Sequence, residues 1–200
     1  MSAPIRHLKK DRRLAKIIDQ VGKYNISQTK NPYESLVEAI ITQQLSGKAA
    51  DSISKRFRAI YRRFPKPADV LKTPDSKLRK AGLSAMKVKY IKDLSARIDS
   101  GELRLASMKN LADDEVVAEL TKVKGIGRWT AEMFLIFSLG RLDVLPVGDL
   151  GLRKGVQRLH SLPELPEKDE IEKIAEKWRP YRTVATWYLW RGLSQFENIG

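Results

Sequence analysis

The stretch LTKVKGIGRWTA, residues 120–131, decides the fold. Its spacing predicts two helices that meet at a tight turn, because paired glycines relax the steric limits on the backbone and allow close approach. Ile126 can turn inward and anchor this turn, and the amides that open the second helix can then attract phosphate. Two glycines also occur in ordinary helix–helix turns, but the longer apolar pattern with its basic flanks favours DNA binding. The predicted DNA-binding residues are Lys124, Gly125, Ile126, Gly127, Arg128 and Thr130.

The rest of the chain has helical spacing of its apolar residues and no strand alternation, which predicts an all-α fold of about ten helices. Asn31 and Pro32 break the chain, so one helix is expected to open at residues 32–34. Another helix is expected over residues 53–64, stopped by the prolines that follow it. Asp113 is expected to cap one helix and Asp149 another. Pro180 suits the first turn of a last helix that ends near Gly192.

Composition limits the classes of function. The chain has 200 residues, is 42% hydrophobic and carries a net charge of +14, so it can bury a core and is expected to bind a polyanion such as nucleic acid. A merely soluble basic surface is the alternative explanation of the charge.

No apolar run reaches the ~18–20 residues that span a bilayer, and the N-terminus lacks the apolar region of a signal peptide. We therefore expect no membrane partner and an intracellular location, in the cytoplasm and nucleoid or in a nucleus. The absence of cysteine excludes disulfides, zinc–thiolate sites, iron–sulfur clusters and a cysteine nucleophile.

Three further segments accompany the glycine turn: AIITQQLS at residues 39–46, RLDVLPVGDLGLRKG at 141–155 and WRPYRTVATWYLWR at 178–191. Together with the turn they resemble the helix-hairpin-helix (HhH-GPD) glycosylase superfamily, specifically the AlkA-like 3-methyladenine DNA glycosylases, from about Tyr33 to Trp190. The resemblance implies a single glycosylase domain of two helical lobes with a DNA-binding cleft between them. One lobe would comprise residues 33–140 and end in the helix-hairpin-helix, and the other would comprise residues 1–32 with 141–200.

The same resemblance implies a monofunctional DNA glycosylase of base excision repair. Such an enzyme flips an alkylated purine, for example 3-methyladenine or 7-methylguanine, out of double-stranded DNA and hydrolyses its N-glycosidic bond, leaving an abasic site. No cofactor is expected for this chemistry, and no obligate protein partner is evident. Two alternatives stay open: a non-enzymatic helix-hairpin-helix module that only binds DNA, and a glycosylase for a deaminated or mismatched base.

Asp149 matches the position of the catalytic aspartate in this family. A carboxylate there can stabilise the positive charge that builds on the sugar as the base leaves, and one carboxylate can suffice because an alkylated purine is already cationic. The alternative role for Asp149 is a helix N-cap, and both roles can coexist. Asp143 is a rival carboxylate that matches the approach strand instead. Gly148 departs from the family pattern, in which an aspartate often precedes the catalytic one.

Trp129 and Trp190 match the pocket tryptophans of the family, whose indole faces attract a cationic base. The alternative is that both are core aromatics. Met133 replaces another pocket aromatic, which leaves the range of lesions open. Trp129 also occupies the position of the lysine with which strand-cutting relatives attack the sugar, so no lyase activity is expected.

Other residues take expected roles from the same resemblance. Gln44 and Leu45 are the candidates for the wedge that fills the gap left by a flipped base, with a solvated helix connection as the alternative. Arg182 could orient pocket groups, meet a phosphate or lie at the surface. Hairpins of this family often hold a potassium or sodium ion through backbone carbonyls, and the matching residues are Thr121, Val123 and Ile126.

Overall fold

The computed structural model describes residues 1–45 and 47–197, and within these it describes side chains as far as residue 193. Ser46, which belongs to the AIITQQLS segment, lies outside the described residues. The described chain forms twelve α-helices, two short 3-10 helices and no strand, so the all-α prediction is confirmed. None of these described helices is long and apolar enough to cross a membrane.

Two compact units divide the chain. The terminal unit comprises Met1–Gln28 and Leu135–Gly200, and the central unit comprises Thr29–Phe134. The family-based lobe boundaries fall a few residues later, before residues 33 and 141. The helices are α1 (Ala3–Leu8), α2 (Arg12–Val21), α3 (Pro32–Thr42), α4 (Gly47–Ala59), α5 (Pro67–Lys72), α6 (Asp75–Lys80), α7 (Ala85–Asp99), α8 (Asp113–Thr121), α9 (Arg128–Phe137), α10 (Leu150–His160), α11 (Lys168–Ala175) and α12 (Arg182–Glu197), with 3-10 helices at Leu105–Asn110 and Glu176–Trp178.

The terminal unit builds its core around α12, which packs against α10 and α2. Trp178, Val184 and Tyr188 are fully buried in this core. Helix α10 approaches α12 closely at Gly155, where a Cβ atom would stand 2.7 Å from Cβ of Leu189. Because protein interiors are close-packed, only a residue without a side chain allows this approach.

Asp11 ties together distant parts of the terminal unit. Its carboxylate caps α2 by accepting the N–H of Arg13 at 3.0 Å, and it also accepts Nε1–H of Trp178 at 3.0 Å. Lys177 Nζ lies 2.9 Å from the same carboxylate. Burial alone would raise the pKa of Asp11, but the bonds from Trp178 and Lys177 outweigh burial and hold the pKa below its ordinary value. Asp11 therefore stabilises the fold most when it is ionised.

Helix α7 is the centre of the central unit and packs against α3, α5 and α6. Its residues Ile91 and Leu94 are fully buried, as is Ile40 of α3. Helix α3 begins where the sequence predicts: Pro32 is in its first turn, and the Asn31 side chain caps it by accepting the N–H of Glu34 at 3.3 Å.

Helix α4 ends at Ala59, so the predicted helix over residues 53–64 is wrong at its C-terminal end. The chain leaves the helix through a turn in which the N–H of Ile60 donates to the Phe57 carbonyl at 3.2 Å. Phe64 still packs against Tyr33, with ring centroids 6.0 Å apart, and near Phe57, with centroids 6.2 Å apart. The apolar spacing thus reflects packing of the half-buried Phe64 beyond a turn instead of a longer helix.

The predicted cap of α8 is also wrong. Asp113 is the first residue of the helix, and the cap position belongs to Ala112. The N–H of Ala112 donates to the Glu115 carboxylate at 2.7 Å, which is the reciprocal half of a capping box. The Glu115 side chain therefore satisfies the backbone N–H of the cap residue, and Asp113 is a residue of the first turn.

The last helix differs from its prediction at both ends. Pro180 lies before α12, because a turn closed by the N–H of Tyr181 and the carbonyl of Trp178, 2.8 Å apart, separates it from the helix. At the other end α12 continues through Gly192 to Glu197. Gly192 is tolerated inside the helix because α2 packs closely there: a Cβ atom would stand 3.1 Å from Ile17.

Asp11→Ala is expected to lower the free energy of unfolding by about 2–4 kcal/mol near neutral pH, because α2 loses its cap and the indole N–H of Trp178 loses its acceptor. The loss narrows as the pH falls below about 4, because the unfolded chain then takes up a proton at residue 11 that the folded carboxylate takes up only at a lower pH. Urea unfolding at a series of pH values measures both effects.

Asp19→Ala is the matched control, since it removes an exposed carboxylate that pairs with Lys9 at the surface. It is expected to cost less than about 1 kcal/mol. A stability difference between wild type and Asp11→Ala that does not change with pH would contradict the ionic part of this explanation.

Candidate functional site

The glycine turn joins α8 and α9 within the central unit. Ile126 is only 4% exposed, and its N–H donates to the Val123 carbonyl at 3.1 Å, so it is the inward anchor of the turn. Gly125 has a φ of 80°, a left-handed conformation that glycine adopts without a steric penalty. Gly127 has no such requirement, because a Cβ atom there would meet nothing within 4 Å.

Helix α7 braces this turn from behind. The ring of Tyr90 lies so close to Gly125 that a Cβ atom would stand 2.1 Å from Tyr90 Cδ2. Asp93 accepts the backbone N–H of Lys124 at 3.0 Å, and Arg97 Nε holds the same carboxylate oxygen at 3.1 Å. Sequence reasoning missed Tyr90 and Asp93, because they lie far from the turn along the chain and carry no local signal.

The outer face of the turn is basic and exposed. The side chains of Lys124 and Arg128 are 71% and 62% exposed, and Arg128 also lies 3.2 Å from the buried Glu132 carboxylate. Thr130 is different, since it is only 5% exposed. Its backbone N–H, in the first turn of α9, is therefore the group through which Thr130 could meet a phosphate.

The segment after α3 is fastened to the turn. Gln43 Nε2 donates to the Gly125 carbonyl at 2.8 Å. Lys87 Nζ donates to the carbonyls of Ile41 and Gln43, both at 2.7 Å, and burial lowers the pKa of Lys87. The sequence did not indicate Lys87, because its role depends on the packing of α7 beside the segment that follows α3. These bonds support the wedge candidate Gln44, which is exposed and has a φ of 54°.

A cavity of about 540 Å³ lies beside these bonds in the central unit. Trp129, which is 47% exposed, contributes to its wall together with Gln44. Leu45, the other wedge candidate, is 37% exposed. The central unit thus places an exposed indole, a wedge candidate and the glycine turn around one concave surface.

Asp149 lies in the terminal unit and caps α10, as the sequence predicts. Its Oδ1 accepts the N–H of Leu152 at 2.7 Å, and the same oxygen accepts Nε1–H of Trp190 at 2.7 Å. The backbone N–H of Asp149 donates to the Pro146 carbonyl at 2.8 Å, which closes the turn before the helix. The structure therefore confirms the cap, and the catalytic role of Asp149 stays a prediction at this point.

Trp190 is half-buried on α12, and its ring stacks on Phe137 with centroids 6.1 Å apart and an angle of 16° between the planes. Its indole N–H is directed at the carboxylate of Asp149. The proposed contact of Trp190 with a flipped base stays a prediction, but the bond to Asp149 is a contact that the sequence did not indicate.

Arg182 is engaged with Asp143, the rival carboxylate. Arg182 Nε donates to Asp143 Oδ1 at 2.8 Å and Nη2 donates to the Asp143 carbonyl at 2.7 Å. Arg179 Nη1 binds the other carboxylate oxygen at 2.9 Å. Asp143 is thus held in ion pairs that fix the start of the segment leading to Asp149, and a phosphate contact by Arg182 stays a prediction.

Comparison with known proteins gives one consistent result. Residues 37–180 match the family model described as HhH-GPD superfamily base excision DNA repair protein. DNA-3-methyladenine glycosylase 1 of Schizosaccharomyces pombe is 39% identical over 183 residues, which are 90% of this chain and 80% of that protein. Among solved structures, the S. pombe 3-methyladenine DNA glycosylase Mag1 in complex with abasic DNA has a TM-score of 0.87 and 38% identity, covering 95% of this chain and 96% of that one. DNA-3-methyladenine glycosidase from Bacillus halodurans has a TM-score of 0.88 and 38% identity, covering 98% and 92%.

Gly125→Ala is expected to lower the free energy of unfolding by at least about 2 kcal/mol, because a side chain there is strained by the left-handed φ and collides with Tyr90. Gly127→Ala is the matched control, with an expected change within about 0.5 kcal/mol. Urea unfolding of the two variants measures the difference. Equal stability of both would show that the turn does not depend on close packing at Gly125.

Proposed function

The chain belongs to the HhH-GPD superfamily of base excision DNA repair proteins, and we infer that it is a monofunctional DNA glycosylase for alkylated purines. It flips a base such as 3-methyladenine or 7-methylguanine out of double-stranded DNA and hydrolyses the N-glycosidic bond, leaving an abasic site. The observation that carries this conclusion is the likeness, in both sequence and fold, to a 3-methyladenine DNA glycosylase whose structure contains abasic DNA.

Asp149 is proposed as the catalytic carboxylate. Positive charge builds on the sugar as the base leaves, and an anion beside it lowers the barrier. The N–H of Leu152 and the indole of Trp190 both bind Oδ1 and hold the carboxylate in one orientation, which supports this role. An alkylated purine is already cationic, so it departs without a second group to protonate it.

Trp129 is proposed as a stacking surface for the flipped base, since its indole is exposed beside a cavity. A cationic base over an indole face gains ~0.5–2 kcal/mol relative to a neutral one, which favours the alkylated purine. Residue 129 is also the position at which strand-cutting relatives carry their lysine. With an indole there, the sugar meets no amine at this position to form a Schiff base.

The glycine turn and the net charge of +14 support binding of the DNA backbone. Contacts to phosphate position a protein without reading bases, so we expect little preference for sequence around the lesion. Because the substrate is cellular DNA, we propose an intracellular location, in the cytoplasm and nucleoid or in a nucleus.

The carbonyls of Thr121, Val123 and Ile126 are proposed to hold a potassium or sodium ion. Backbone carbonyl oxygens suit such ions. The Val123 carbonyl already accepts the N–H of Ile126 at 3.1 Å, and its second lone pair suits an ion. The Gly125 carbonyl is bound by Gln43 and is not part of this set. A bound ion would stiffen the turn, and the chemistry of base release does not pass through it.

The experiment that tests the function is base release from methylated duplex DNA. Asp149→Asn is expected to lower single-turnover release by at least about 100-fold, because the anion beside the sugar is lost. Asparagine also caps helices, so folding and DNA affinity are expected to persist. Asp169→Asn, the same change at an exposed residue in the first turn of α11, is the matched control and is expected to retain full release.

Other outcomes select the alternatives. Tight DNA binding by the wild type without release of any base from a panel of damaged duplexes would favour a non-enzymatic DNA-binding module. Release of a deaminated or mismatched base alone would keep the glycosylase and replace its substrate. Full activity of Asp149→Asn would reduce Asp149 to a helix cap.

Gln44 is proposed as the wedge, because it is exposed at the tip of the segment that Gln43 and Lys87 fasten to the glycine turn. Gln44→Ala is expected to slow base release from duplex DNA by roughly tenfold. Release from single-stranded DNA is expected to slow much less, because the free-energy cost of unstacking and unpairing a base arises only in a duplex. Leu45→Ala, measured in parallel, is expected to have the smaller effect. A duplex-specific loss in Leu45→Ala alone would transfer the role to Leu45.

A further inference from the structure

We propose that Trp190 and Gly151 are positioning residues for Asp149: the indole N–H fixes the carboxylate, and the missing side chain at residue 151 makes room for that bond. This inference rests on the proposed catalytic role of Asp149. Trp190 then has a role other than stacking against a base, and Gly151 is required because it has no side chain.

The bond itself is short and direct. Trp190 Nε1 lies 2.7 Å from Asp149 Oδ1, and the N–H of Leu152 reaches the same oxygen at 2.7 Å. Hydrogen bonds to an ionised acceptor are stronger than those between neutral groups. Because both donors meet one oxygen, a rotation of the carboxylate about its Cβ–Cγ bond, short of the half-turn that exchanges its two oxygens, weakens both bonds.

The indole is held in place from its other side. Its ring stacks on Phe137, with centroids 6.1 Å apart and only 16° between the planes. An aromatic side chain packed in this way does not have to be ordered when the reaction begins. Trp190 therefore supplies a fixed donor, whereas a water molecule at the same place would have to be immobilised.

Gly151 has no backbone reason to be glycine. It lies in the first turn of α10, its φ is not left-handed, and glycine weakens a helix relative to almost every other residue. Lack of space for a side chain explains the glycine at this position instead. A Cβ atom at residue 151 would stand 2.8 Å from Trp190 Cδ1, 3.0 Å from Trp190 Nε1 and 3.0 Å from Asp149 Oδ1.

None of these neighbours can give way at little cost. The indole is stacked on Phe137, and the carboxylate is fixed by the N–H of Leu152. A methyl group at residue 151 would therefore push between Trp190 and Asp149 and separate the donor from its acceptor. The same region tolerates a side chain elsewhere, since a Cβ atom at Gly148 would meet nothing within 4 Å.

The test uses the full chain and separates positioning from folding and binding. Trp190→Phe keeps an aromatic ring and removes the N–H, and Gly151→Ala keeps the N–H and displaces it. Each is expected to slow single-turnover base release by about 10- to 100-fold, because small misplacements of a reacting group are costly. The dissociation constant for DNA with an abasic-site analogue is expected to stay within about threefold of the wild-type value.

The double variant provides the decisive comparison. If Gly151 acts only by admitting the indole N–H, Trp190→Phe with Gly151→Ala is no slower than the slower single variant. Gly148→Ala is the control for a methyl group added near Asp149, and Trp187→Phe is the control for the same aromatic change on α12. Both controls are expected to release the base at the wild-type rate.

A second measurement does not depend on activity. In ¹⁵N-labelled protein, the indole N–H resonance of Trp190, assigned by its loss in Trp190→Phe, is expected to move upfield in Gly151→Ala and to stay in place in Gly148→Ala. This readout tests the contact even if the wild type releases no base, in which case only the proposed function fails.

Several results would overturn the inference. Unchanged release by Trp190→Phe would show that the N–H is dispensable. Multiplying losses in the double variant would show that the two residues act separately. Equal losses of DNA affinity and release, or loss of folded protein in Trp190→Phe, would reduce Trp190 to a structural residue. An unmoved indole resonance in Gly151→Ala would remove Gly151 from the arrangement.

Discussion

A single oxygen atom, Oδ1 of Asp149, is the point on which the candidate active site depends. It accepts one bond from the first turn of α10 and another from the indole on α12, so the packing of these two helices sets its position. The arrangement uses a general property of helices, whose first N–H groups lack partners within the helix and favour an anion nearby. Because Asp149 caps the start of α10, its negative charge is also held in one place.

In the central unit, contacts from neighbouring elements likewise hold the backbone of the candidate site in position. The glycine turn does not hold its shape alone, because Tyr90 packs against Gly125 and Asp93 binds the N–H of Lys124. Lys87 and Gln43 then fasten the neighbouring segment to this turn through carbonyl groups. The exposed residues are thus carried by backbone that these bonds already hold in place, and contact with DNA does not have to order it.

Features that depend on close neighbours in sequence could be predicted. The start of α3 at Asn31, the glycine turn and the cap at Asp149 each follow from residues a few positions apart, and each is present. The end of α4 could not be predicted, because Phe64, which packs against Tyr33 from beyond the helix, has the spacing of a helical apolar residue. The braces of the site were missed for a related reason: the bond from Lys124 to Asp93 joins residues 31 positions apart, and local patterns contain no information about it.

The path of the chain through the two units has a consequence for protein synthesis. The central unit is one continuous segment, so it can fold as soon as it leaves the ribosome, whereas the terminal unit needs residues from both sides of that segment. Asp149 meets Trp190 only after α12 has been made. A nascent chain interrupted before Trp190 would therefore already contain the glycine turn, whereas its Asp149 carboxylate would lack the indole donor that orients it.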